Sequence, residues 1–109
     1  MADILYIVVP CYNEEEVLPE TSRRLRAKLE GLMAAGRISE QSRVLFVNDG
    51  SRDKTWNIIE ILHGECPLFS GIDLSRNRGH QNALLAGLMI SADRCDMAIS
   101  MDADLQDDI

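Results

Sequence analysis

Four short strand-like segments, at residues 4–9, 43–47, 69–74 and 97–101, alternate along the chain with stretches of helical periodicity. The first, Ile4 to Val9, is continuously apolar, rich in Ile and Val, and too short for a helix, and the second, Arg43 to Val47, is apolar after its first residue. That is the pattern of strands buried on both faces. Helical stripes fill the intervals at residues 14–35, 54–63 and 79–92, and the connections are short. Alternation of this kind predicts parallel strand–helix–strand units with right-handed crossovers. The expected fold class is α/β, an open doubly wound, mainly parallel, Rossmann-like sheet with helices on both faces.

Local signals set the expected boundaries. Pro10 is read as the end of the first strand, Pro19 as a first-turn residue of the first helix, and Gly36 as its exit. Val17, Leu18, Leu25, Leu29, Leu32 and Met33 form that helix's apolar stripe, with Arg23, Arg24, Arg26 and Lys28 mostly opposite. Asn48-Asp49-Gly50-Ser51 reads as a turn, with Ser51 or Asp53 capping the second helix. Trp56, Ile58, Ile59 and Leu62 supply the apolar positions of that helix.

A chain of 109 residues fits one core. A net charge of −7 repels nucleic acid and anionic membrane surfaces, so no nucleic-acid partner is expected. Cys11, Cys66 and Cys95 form an odd set without C-x-x-C spacing, which argues against a disulfide framework or zinc site and for buried thiols in a reducing cytoplasm. No apolar run approaches the ~20 residues of a membrane span, and Met1-Ala2-Asp3 lacks a basic signal region. Asp107-Asp108-Ile109 follows directly on a rich motif. The expectation is therefore an N-terminal portion of a larger domain, residues 1–109, cut after that motif.

In a parallel sheet, ligands bind beyond the carboxyl ends of the strands. The residues expected there are polar in all four cases: Tyr12-Asn13-Glu14, Asp49-Gly50-Ser51, Arg76-Asn77-Arg78-Gly79-His80 and Asp102-Ala103-Asp104. Like charges gathered at one edge repel, so a purely structural sheet has little reason to assemble them. Convergence on one rim predicts a binding site.

Asp102 and Asp104 alternate along an extended segment, which points both carboxylates the same way. Two hard oxygen donors suit Mg²⁺ or Mn²⁺, with Gln106 adding a neutral oxygen. By itself the same motif is equally a solvated acidic turn. Neither G-x-G-x-x-G nor G-x-x-x-x-G-K-[ST] is present, so a bound diphosphate would be held by a metal and by Arg76 or Arg78. Asp49 can accept from a base N–H, although its segment is also simply a good turn. Tyr12 suits a base face or the core, and His80 suits a proton shuttle, an anion contact or a helix start.

Four segments share the order of one known pattern: Val9-Pro10-Cys11-Tyr12-Asn13-Glu14-Glu15, Val47-Asn48-Asp49-Gly50-Ser51-Arg52-Asp53, Leu74-Ser75-Arg76-Asn77-Arg78-Gly79-His80-Gln81 and Met101-Asp102-Ala103-Asp104-Leu105-Gln106. The chain resembles family 2 glycosyltransferases of the GT-A fold, and within them the polyprenyl-phosphate branch of dolichol-phosphate mannose synthases and bactoprenol glucosyltransferases. The resemblance implies that Pro10, Tyr12 and Glu14 line a nucleotide pocket and that Asp49 binds the base. It places Asp102 on the ribose or metal, Asp104 and Gln106 on the metal, and Arg76, Asn77, Gly79 and His80 near the diphosphate and sugar. Asp102 and Asp104 become the catalytic pair. Asn48 departs from the second Asp of many relatives, and Asp108-Ile109 from their Pro-Pro.

The implied reaction is metal-dependent, inverting transfer from a UDP- or GDP-linked sugar, with a polyprenyl phosphate as the expected acceptor. The implied place is the cytoplasm, with the complete protein at the inner face of the cytoplasmic membrane through residues beyond Ile109. Two alternatives stand beside it. One is a nucleotide- or metal-binding module without transfer activity, and the other is a receiver-like signalling domain, which also gathers carboxylates at a parallel sheet's rim.

Overall fold

The computed structural model describes residues 2–104. Its elements run β1 (Leu5–Cys11), α1 (Leu18–Ala34), β2 (Arg43–Asp49), α2 (Thr55–Glu65), β3 (Phe69–Leu74), α3 (His80–Ser91) and β4 (Met97–Ser100). All strand pairs are parallel, and the order across the sheet is β3-β2-β1-β4. The chain thus winds outward from β1 to β3, then returns to place β4 on the other side of β1. That reversal makes the carboxyl ends of β1 and β4 the topological switch point, where an open sheet leaves a crevice. A receiver-like sheet places β3 beside β1 instead, so the order overturns the receiver reading.

Alternation along the strands sorts the core into two layers. Ile7, Val9 and Cys11 of β1, Val44 and Phe46 of β2, and Phe69 of β3 pack with Leu18, Leu25, Leu29 and Ile59 from α1 and α2. Val8, Leu45 and Val47 face the opposite way, onto Ala83, Leu84 and Leu88 of α3. The period of two in the strands therefore serves both faces at once. In α3 the residues buried against the sheet are Ala83, Gly87 and Ser91, all small. A β-carbon on Gly87 would lie 2.4 Å from Val8 Cγ1 and 2.9 Å from Val47 Cγ2, so the helix seats closer than any side chain there would permit. Leu85, Met89 and Ile90 of α3 and Met97 and Ile99 of the edge strand β4 remain exposed.

Several boundaries differ from the sequence reading, each for a local reason. β1 does not stop at Pro10 but continues to Cys11, with Pro10 opposite Val47. Val8 accepts from Met101 N–H on the β4 side, and Pro10, two residues on, faces that side without a donor. Pairing with β4 accordingly ends at Val8–Ser100. β2 likewise continues through Asn48 and Asp49, which face Asp73 and Leu74 of β3, so only Gly50 and Ser51 are left to turn.

The first helix begins at Leu18 rather than at Glu14. A start at Glu14 would put Pro19 beyond the first turn, where its missing N–H breaks the ladder, whereas a start at Leu18 keeps Pro19 within it. Residues 14–17 form a turn in which Val17 and Leu18 N–H both donate to Glu14 O. The second helix has neither Ser51 nor Asp53 as its N-cap. Lys54 stands there without a side-chain cap bond, while Asp53 accepts from Thr55 N–H at 2.9 Å. The thiols of Cys11 and Cys66 are buried as expected, but Cys95 is only partly so.

Candidate active site at the carboxyl ends of the strands

Side chains from two loops fasten the rim together before any ligand is considered. Asn13 adopts a left-handed conformation, φ 53°, and its amide donates to Ser51 Oγ at 2.9 Å while its Oδ1 accepts from Arg52 N–H at 2.8 Å. Glu14 N–H donates to Thr55 Oγ1 at 2.8 Å, and Glu15 N–H to Asp53 Oδ2 at 3.2 Å. The amides ahead of α1, which have no helical partner, are thus satisfied by the loop after β2. Asp53 and Thr55 hold this loop pair; the sequence reading gave Asp53 only as a cap and assigned Thr55 nothing.

The third loop is tied to β2. Asp49 is buried, and its Oδ1 accepts from Arg78 N–H at 2.6 Å. Asn77 Oδ1 accepts from Gly79 N–H at 3.0 Å, and Gly79 precedes α3 at φ 89°. The loop crosses Gly50 so closely that a β-carbon there would lie 2.3 Å from Asn77 N and 2.5 Å from Arg76 C. Asp49 therefore organises the loop as well as facing the site.

Between these loops lies a cleft of about 170 Å³ lined by Pro10, Cys11, Tyr12, Glu14, Asp49, Asn77 and His80. Six of the residues named from sequence meet here, and Cys11 is an addition. Arg76 and Gly79 belong to the same loop without lining the cleft. A larger hollow of about 290 Å³ between α1 and the end of α2 has no lining residue from a strand's carboxyl end, and the ion pairs of its Arg23 and Arg26 stay within α1. Size alone does not mark the site.

The fourth strand end brings Asp102 and Asp104. Met101 and Ala103 are buried, while Asp102 is half-buried and Asp104 exposed, so the two acids share the outward side of an alternating segment. Their charge reaches the cleft. Burial raises the proton affinity of the Glu14 carboxyl, and the carboxylates of Asp104, Asp53 and Asp102 raise it further. Among the described residues no three His, Cys, Asp or Glu side chains converge tightly enough to hold a metal ion on their own. Asp49 meets Glu14 in the cleft, and Asp102 and Asp104 act on Glu14. Gln106 lies outside the described residues.

Burial, with a further contribution from Glu14, pushes the Cys11 thiol well above its ordinary value. It stays protonated at neutral pH and donates to Val9 O at 3.4 Å. The charged donors at this rim are oxygens, a set that fits Mg²⁺ or Mn²⁺ better than a thiophilic ion.

The raised Glu14 has a sign that can be checked. A carboxyl that binds its proton more tightly when folded costs stability above its folded pKa, and this cost disappears as pH falls toward the ordinary glutamate value of about 4.3. Glu14→Gln is expected to raise the melting temperature of the metal-free chain at pH 7.5, with the advantage shrinking toward pH 4.5. An advantage that grows on acidification would contradict the assigned crowding.

Comparison with known proteins bears on this site. Residues 6–109 match the family model described as glycosyl transferase family 2. The chain is 50% identical over 106 residues to the uncharacterized glycosyltransferase YkoT of Bacillus subtilis, covering 97% of this chain and 32% of that protein. It is 41% identical over 105 residues to the undecaprenyl-phosphate 4-deoxy-4-formamido-L-arabinose transferase of Shewanella sediminis, covering 95% of this chain and 29% of that protein. The chain spans about a third of the length of these curated relatives. The fold is shared with the mannosyltransferase PcManGT of Pyrobaculum calidifontis, solved in complex with GDP-Man and Mn²⁺. The TM-score is 0.72 at 20% identity, over 95% of this chain and 28% of that one.

Proposed function

This chain belongs to glycosyl transferase family 2, and from that premise we propose that it is the donor-binding part of an enzyme transferring a sugar from a nucleotide-diphosphate sugar. The observation that carries the reading is the acidic convergence at the switch point, where Asp104, Asp53 and Asp102 all act on Glu14. Repulsion of that kind is relieved by a bound cation and by a ligand that brings one. Support for the donor class comes from the mannosyltransferase of shared fold, whose structure holds a nucleotide sugar and Mn²⁺.

In this reading Asp102 and Asp104, with Gln106, hold Mg²⁺ or Mn²⁺. The cation supplies electrostatic stabilisation to the diphosphate as it leaves. Pro10, Tyr12 and Glu14 shape the nucleotide cleft, and Asp49 receives the base at its wall. The start of α3, with Asn77, Gly79 and His80, turns the positive end of the helix toward the diphosphate, and Arg76 adds a cation at the rim. The acceptor oxygen bonds to the anomeric carbon from the face opposite the diphosphate, the bond from that carbon to the diphosphate breaks with its electron pair leaving on the nucleoside diphosphate, and configuration inverts. A polyprenyl phosphate is the proposed acceptor, on the strength of the undecaprenyl-phosphate transferase relatives. Its oxygen is already anionic, so the chemistry asks for no strong general base. The complete protein would then work at the inner face of the cytoplasmic membrane. Among the described residues no helix is long and apolar enough to cross a membrane.

The chain by itself is proposed to bind without turnover, because it spans about a third of its relatives. Calorimetry with uridine and guanosine diphosphates should show weak binding that requires Mn²⁺ or Mg²⁺ and vanishes with chelator. Tight binding indifferent to chelator would overturn the metal role and leave a plain nucleotide-binding module.

A further inference from the structure

We infer that Thr21, on α1, is a positioning residue for the Asp102–Asp104 pair, an inference that rests on the proposed cation role of those two carboxylates. Thr21 is 2% exposed, and its Oγ1 donates to Ala103 O at 2.5 Å, across 82 residues of sequence. A threonine hydroxyl inside a helix ordinarily bonds back to a carbonyl in the preceding turn. Here Thr21 N–H donates to Val17 O at 2.9 Å, while the hydroxyl is turned outward to a different segment.

The carbonyl it reaches lies between the two acids. Ala103 is 3% exposed, so its C=O has left bulk water and needs a donor from the protein. Thr21 provides one from the core side. With Ala103 drawn inward and Met101 buried beside it, the flanking Asp102 and Asp104 are directed to the rim. β4 itself ends at Ser100, so the ladder no longer fixes this segment. The Met101 N–H to Val8 O bond and the Thr21 hydroxyl on Ala103 O both tie it to the rest of the fold. Thr21 touches neither donor nor cation in this account; it acts through Ala103.

Ser22 provides the control. It is equally buried, at 3%, and its hydroxyl donates to Pro19 O at 3.0 Å within α1, with no link to residue 103. Thr21→Val, Thr21→Ser and Ser22→Ala are compared in the 109-residue chain by Mn²⁺ titration and by hydrogen exchange of the amides at Met101 to Asp104 without metal. Thr21→Val is expected to weaken Mn²⁺ binding about tenfold or more, the range seen when a group supporting a ligand is lost, and to speed exchange at those amides. Thr21→Ser should restore both, and Ser22→Ala should leave both unchanged whatever it does to melting. Unaltered Mn²⁺ affinity and exchange in Thr21→Val would overturn the inference, as would equal effects from Ser22→Ala. Wild-type chain that binds no Mn²⁺ would sink the proposed cation role, and the exchange measurement would still decide whether Thr21 holds the segment.

Discussion

Asp104→Asn is expected to lower sugar transfer by the complete protein by on the order of 10³-fold, the scale seen when a group stabilising transition-state charge is removed. The fold should survive. Asp104 is exposed, and exposed substitutions of this kind ordinarily change stability by no more than about 0.5 kcal/mol. The substitution keeps the shape and one oxygen but removes the charge, so it separates electrostatics from packing. Asp104 is also the first-ranking charge among those raising the Glu14 carboxyl, after burial. Its neutralisation should bring the Glu14 titration, followed by NMR, down toward the ordinary range. Both changes should occur together, with loss of Mn²⁺ binding by the 109-residue chain. Turnover near the wild-type rate would count against the metal role directly.

Gly50→Ala is expected to damage both stability and binding. Gly50 sits at φ 68°, where an L-residue costs roughly 1–2 kcal/mol. The added β-carbon would also meet the backbone of Arg76 and Asn77 at 2.3 to 2.9 Å. Crowding of that kind typically costs a further 1–3 kcal/mol, and no flexible side-chain tip is available to yield. A loss of about 2–5 kcal/mol lowers the melting temperature of a chain this size by on the order of 10–20 °C or more. Gly36→Ala separates the two contributions, because Gly36 has φ 73° with nothing within 4 Å of its would-be β-carbon. It should show the conformational cost alone. In Gly50→Ala the loop carrying Asn77 and His80 moves off Asp49, so nucleotide affinity should fall even at temperatures where the chain stays folded. Equal destabilisation of the two variants, with binding intact, would show that the close approach of the loops is of no consequence.

The reach of sequence reasoning differs from one part of this chain to another. Phe69 to Leu74 was readable to the residue, with Pro67 just ahead of it and the polar Ser75-Arg76-Asn77 behind it bounding the strand. Pro10 misled, because a proline is a strand terminator only where its missing donor is needed, and that depends on which neighbour lies on that side. Asn48 and Asp49 look like a turn in isolation; they are strand residues because β3 pairs with them to the last position. Polar residues are compatible with either state, and the partner decides.

Periodicity determined that this would be a parallel α/β sheet with a polar rim, because a repeating apolar pattern constrains which faces can be buried without reference to any partner. The residues destined for the cleft were legible for a similar reason: strand ends in such a sheet meet at one edge whatever the lengths of the helices. The order β3-β2-β1-β4, and with it the placing of Asp102 and Asp104 across from Glu14, was decided only by tertiary packing, since no local signal states on which side of β1 the last strand returns. Tertiary packing also gave the hydroxyls of Ser51, Thr55 and Thr21 their partners 38, 41 and 82 residues away. A hydroxyl satisfies whichever buried backbone group the fold brings within reach, and sequence spacing carries no record of that encounter.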